Sequence, residues 1–78
     1  MSYNNSDIRN FVERVEPIRI DVGDVVQDWD GNVGTVRSRD QYPNEGAWVV
    51  LDMNDGLERH HRVRQLVVLR DGAQFPAV

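Results

Sequence analysis

From Ile18 onward, apolar and polar residues alternate in short runs separated by glycine and asparagine turns. Ile18-Arg19-Ile20-Asp21-Val22 alternates strictly, the pattern of a strand with one buried face. Gly23 allows a bend into Asp24 to Trp29, and Asp30-Gly31 fits a hairpin turn. Val33-Gly34-Thr35-Val36 follows, with Gly34 placed where a strand glycine marks a bulge or a barrel corner. Asp40 to Gly46 reads as one long loop. Trp48 to Met53 is the strongest strand: Val49, Leu51 and Met53 fall on one face, and Trp48, Val50 and Asp52 on the other. Asn54-Asp55-Gly56 turns the chain into Leu57 to Val63, a short 3₁₀ turn is expected at Arg64-Gln65, and Leu66 to Leu69 forms the last strand. The expected core is Val26, Val33, Val36, Val49, Leu51, Leu66 and Val68.

The pattern before Ile18 has a different period. Ile8, Phe11, Val12 and Val15 stand at i, i+3, i+4 and i+7, a single apolar stripe on a helix. Ser6 or Asp7 can cap its start and Pro17 blocks its continuation. Such a helix is marginal alone, so its stripe must pack on the open end of the barrel or on a partner or sister subunit. The chain therefore divides into a polar tail over 1–5, a helix over 6–17, a barrel over 18–70 and a tail over 71–78 in which Asp71-Gly72 and Pro76 stand. Five alternating strands need closure to hide their edges, so the expected class is all-β, a five-stranded barrel with a short N-terminal amphipathic helix.

Size limits how such a domain is held together. Seventy-eight residues bury a modest fraction of their surface, and with no cysteine neither a disulfide nor a thiolate zinc site can help. Stability must come from one apolar core, extended by self-association if the helix supplies a homo-oligomer contact. No apolar run approaches the length of a membrane span, and residues 1–5 lack the basic and apolar regions of a signal peptide. The expectation is a cytoplasmic protein with no membrane contact.

Charge sharpens the list of partners. Thirteen acidic residues face nine basic ones, all arginine, for a formal net charge of −4. That balance opposes sequence-independent nucleic-acid binding. The distribution is uneven: Asp21, Asp24, Asp28 and Asp30 crowd the first strand, while Arg59, Arg62 and Arg64 with His60 and His61 crowd the fourth. Arg37 and Arg39 end the second. A bipolar surface suits electrostatic docking, and the same charges also read as solvated strand faces.

Three families share these turn and core residues. Trp48 to Gly56 followed by His61-Arg62-Val63, with Gly23, Val26 and Val33 to Val36 upstream, resembles the repeat of Mind bomb-type ubiquitin ligases. That resemblance covers about half the chain and implies an SH3-like barrel that binds peptides; Met53 stands where that repeat has a tryptophan. Gly23, Gly31 and Gly34 are similar to the loose pattern of KOW-type barrels, which implies nucleic-acid binding. Gly23 to Val26 also looks like the opening of the plasmid-borne type II dihydrofolate reductases, whose site lines the pore of a tetramer. Their Val-Gln-Ile-Tyr motif is absent, and Glu58-Arg59-His60-His61 stands in its place.

Catalytic and metal chemistry find little support. His60 and His61 are adjacent, so in a strand they point to opposite faces and cannot chelate one ion. The serines, Ser2, Ser6 and Ser38, lie in no nucleophile elbow, and no phosphate-cradling glycine loop is present. No catalytic residue, metal site or cofactor is expected. The aromatics carry more. Trp29 beside the first turn, Tyr42 in the long loop and Trp48 at the head of the central strand can form a stacking surface, or act as lids on a small core. The expected binding set is Trp29, Tyr42 and Trp48 beside Arg37, Arg39, Arg59 and Arg62. The leading expectation is a non-enzymatic protein-binding adaptor or regulatory module. Alternatives are a KOW-like nucleic-acid binder and an oligomeric enzyme with a pore site.

Overall fold

A computed structural model describes residues 12–78. They form one mixed sheet of seven strands: β1 (Val12–Glu13), β2 (Val25–Gln27), β3 (Val33–Tyr42), β4 (Gly46–Met53), β5 (Glu58–Arg62), β6 (Val67–Arg70) and β7 (Ala73–Pro76). The spatial order is β1-β7-β6-β2-β3-β4-β5. All neighbours are antiparallel except β1 and β7. A 3₁₀ turn at Val63–Gln65 carries the chain from β5 to β6.

The class is all-β, as the alternation predicts, but the expected five-stranded closed barrel is corrected to a seven-stranded open sheet. β1 and β5 end the sheet and do not pair with each other. Closure is one remedy for exposed strand edges; short edges and charged edges are others. β1 has two residues, and β5 carries Glu58, Arg59, His60, His61 and Arg62.

The expected N-terminal helix over 6–17 is also corrected where it can be seen. Ile8 and Phe11 lie outside the described residues. Val12 and Glu13 are extended, and the Val12 and Arg14 amides donate to the Gly72 and Gln74 carbonyls at 2.9 and 2.8 Å. Those carbonyls belong to the outer side of the last hairpin, and pairing them satisfies polar groups that an isolated helix would leave open. No α-helix occurs among the described residues, and none there is long and apolar enough to cross a membrane.

The other departures concern which strands run on. Ile18 makes an isolated bridge to Ala77 in place of the strand expected over 18–22, although Ile20 is fully buried as the alternation requires. β3 and β4 extend to Tyr42 and Gly46, so the expected loop over 40–46 shrinks to a turn at 43–45. Residues 71–78, expected as a tail, form a hairpin turn and β7. Asp71 and Gly72 both take positive φ, 52° and 74°, which suits a two-residue connection between twisted strands.

The core comprises Ile20, Val26, Val36, Val49, Leu51, Met53, Val63, Leu66, Val68 and Ala77. Six of the seven expected residues are in it; Val33 is half-buried. The ladder irregularity falls between Val36 and Ser38, not at Gly34. Gly34 serves close approach instead: a Cβ there would stand 2.7 Å from Met53 Sδ and 3.0 Å from the Asp52 carbonyl oxygen.

Candidate functional site

The antiparallel register of β3, β4 and β5 sets out the face that carries most of the expected site. Trp48 stands between Asp40 and Arg62, Val50 between Ser38 and His60, and Asp52 between Thr35 and Glu58. The bulge after Val36 brings Arg37 onto this face, where it donates to Asp52 and, at 2.6 Å, to Glu58. Hydrogen bonding to Asp52, then attraction to it, raises the Arg37 pKa. Tyr42, Trp48, Val50 and His60 line a cleft of about 270 Å³ with Asp40, Glu45 and Val49. The Arg62 guanidinium lies 5.1 Å from the centre of the Trp48 ring and 3.6 Å from Glu45. Trp48 is half-buried, and its buried Nε1 has no hydrogen-bond partner among the described residues.

Arg37 and Arg62 share this face with Trp48, Arg39 and Arg59 stand in register with the inward Val49 and Leu51, and all four are engaged at home. Arg37 holds Asp52 and Glu58, Arg62 holds Glu45, and Arg59 stands 3.8 Å from Asp55. Arg39 donates to the carbonyls of Ile20 and Val78, both at 2.8 Å, tying the chain end to the segment before β2. Burial, then repulsion from Arg19, lowers its pKa.

The two histidines separate as strand geometry requires. His60 is exposed, with Nε2 3.0 Å from Glu58 Oε2. His61 points to the other face, where its buried Nε2 lies 3.8 Å from Asp28 Oδ2. Asp28 is itself 8% exposed, and its Oδ1 accepts the Asp30 and Asn32 amides at 3.0 and 2.9 Å. The crowd of aspartates around the first strand therefore includes two turn brackets, since Asp24 likewise accepts the Asp21 amide and pairs with Arg70. Short polar side chains that bond their own backbone two to four residues away are the ordinary means of closing such turns.

Glu58 joins both sets, and it gives the first prediction. The hydrogen bond with His60, then the charge of Arg37, lowers its pKa below the usual glutamate value. The carboxylate is the favoured form, so its stabilising contribution is complete above the ordinary glutamate pKa. That contribution disappears as pH falls through the lower, folded-state value. An NMR titration of the Glu58 carboxyl should show a midpoint below that of an ordinary glutamate. His60→Ala should raise the midpoint more than Arg37→Gln does, and the reverse ranking would overturn the assignment of causes.

Trp29 stands elsewhere. It is 81% exposed in the turn after β2 and lines a cleft of about 440 Å³ with Leu66, Val67, Phe75, Pro76 and Ala77. The structure brings Tyr42 and Trp48 together and assigns Trp29 to a different cleft. Gln74, Phe75 and Pro76 of β7 contribute to this second cleft, and the sequence pattern, which predicts a tail over 71–78, leaves them out of the expected site. The rim adds Glu13, Arg14, Val15 and Arg64. The Asp71-Gly72 turn was the signal that could have found it.

Comparison with protein-family models, with curated proteins and with solved structures finds no match for this chain.

Proposed function

We propose that this chain is a small non-enzymatic protein-binding module, of the adaptor or regulatory kind, and that the Trp29 cleft is its docking surface. The observation that carries this reading is an almost fully exposed tryptophan beside a cleft with an apolar lining. Such a ring is costly to leave in water and is the side chain most often found as an interface anchor. Trp48 differs, because Arg62 already covers its ring and half of it is buried. It serves the lid role more naturally.

Protein binding is favoured over nucleic-acid binding by the arginines of β3 and β5. Phosphate neutralisation needs free cations, and Arg37, Arg59 and Arg62 each have a carboxylate within 4 Å.

The test begins with affinity capture by the full chain and identification of the retained protein. The Kd of that purified partner is then measured for wild type, Trp29→Ala and Trp48→Ala. Trp29→Ala is expected to cost about 2 kcal/mol or more, ~30-fold in Kd. Its melting temperature should stay near wild type, because the ring makes little of the core. A partner bound equally well by Trp29→Ala would remove the cleft from the function.

A further inference from the structure

The arginines of the described residues divide into two groups. Arg19, Arg37, Arg59, Arg62 and Arg70 each face an aspartate or glutamate, and Arg39 donates to two carbonyls. Arg14 and Arg64 have neither kind of partner among the described residues, and both line the Trp29 cleft. One comes from the segment after β1, the other from the 3₁₀ turn between β5 and β6. Glu13 is on the same rim, so the three charges sum to +1 on a chain whose formal net charge is −4. Among the described residues, this sets a local excess of positive charge beside an exposed tryptophan on an acidic protein.

We infer that the cleft takes an acidic segment of a partner protein, with its carboxylates on Arg14 and Arg64 and an apolar side chain against Trp29 and Phe75. This inference rests on the docking surface proposed above. Arginine suits the role because its planar fork matches a carboxylate in two parallel hydrogen bonds. The apolar lining supplies the affinity, and the arginines select for sign and speed the encounter. The net negative charge of the whole chain repels a polyanion at longer range, which favours a short acidic segment over an extended nucleic acid.

The probes are two labelled ten-residue peptides, alternating glutamate with leucine and alternating lysine with leucine, and a ten-residue oligothymidylate. Each is titrated into the full chain at low and physiological salt, with binding read by anisotropy and by amide and indole NMR shifts. The glutamate peptide is expected to bind at least tenfold more tightly than the lysine peptide. Its shifts should centre on Trp29, Arg14, Arg64 and Phe75, and its affinity should fall with salt. The double variant Arg14→Gln, Arg64→Gln should lose about tenfold for the glutamate peptide while Trp29 remains responsive. Arg14→Glu with Arg64→Glu should reverse the preference.

Equal binding of the two peptides at Trp29 would overturn the inference and leave the docking surface standing. Failure of both peptides, with a captured partner still dependent on Trp29, would do the same. Tighter binding of the oligothymidylate at Trp29 would overturn both and make the cleft a base-stacking site. If the glutamate peptide binds only after residues 1–11 are deleted, the occupant is this chain's own segment, which holds Asp7, Ile8 and Phe11. That result would overturn the assignment to a partner protein.

Discussion

Deletion of residues 73–78 is expected to leave no cooperatively folded protein. β7 sits between β1 and β6, so its loss opens the sheet at an interior position. The Arg14, Ile18 and Ile20 amides lose the carbonyls of Gln74, Pro76 and Val78, and the Ile18 and Leu66 carbonyls lose the Val78 and Ala77 amides. Each backbone bond is worth about 1 kcal/mol net, and the ladder with β6 goes as well. Arg39 loses one of its two acceptors, and Ala77 leaves the core. The total stability of a domain this small is on the order of 5 kcal/mol, which these losses match or exceed. Circular dichroism with thermal melting decides it: a truncated chain with a wild-type-like cooperative transition would show that the sheet stands without β7.

Leu51→Ala should have the largest effect of any single truncation in β4. Leu51 has no exposed surface, and its register partners are Val36 on β3 and Arg59 on β5. Removing a buried leucine costs about 2–5 kcal/mol, depending on how far the neighbours can collapse into the space. On a stability of similar size, that unfolds much of the population at room temperature. The adjacent position is the control. Val50 lies on the opposite face and is half-buried, so Val50→Ala should cost about 1 kcal/mol. Urea denaturation of both variants tests the pair, and equal losses would mean that the inward and outward faces of β4 are wrongly assigned.

The contrast between Leu51 and Val50 was legible before any coordinates, because side chains of a strand alternate whatever the strand pairs with. The same holds for Val26, Val36, Leu66 and Val68, and for the opposite facing of His60 and His61. Ile20 shows the limit of that logic. Its alternation with Ile18 correctly points inward, yet the segment makes one bridge to Ala77 and no full strand. Whether a segment is a strand depends on a neighbour with free carbonyls and amides, and here that neighbour lies more than fifty residues away.

Over residues 12–17 the expected helix gives way for a related reason. The spacing of Ile8, Phe11, Val12 and Val15 suits a helix, but local preference is a weak prior where tertiary pairing offers the backbone another set of partners. Val12 and Val15 consequently end up 59% and 87% exposed. β7 was the converse error. Asp71-Gly72 between Val67 to Arg70 and Ala73 to Pro76 is a strong hairpin signal, and it was readable from the sequence as it stands.

The site divides along the same line. That Trp29, Tyr42 and Trp48 are the candidate stacking side chains, and that arginines crowd the later strands, is read from residue types alone. Which aromatics share a cleft, and which arginines lack a carboxylate partner among the described residues, is not. Those outcomes turn on pairs such as Arg37 with Asp52 and Glu58, or Arg62 with Glu45, which lie 15 to 21 residues apart in the chain. The sequence by itself determined the strand period, the inward faces, several of the turns and most of the core, because each depends on a residue and its immediate neighbours. The tertiary structure decided the open edge of the sheet, the two terminal strands and the long-range charge pairs, because these depend on which distant backbone and side-chain groups meet, and no local period records that.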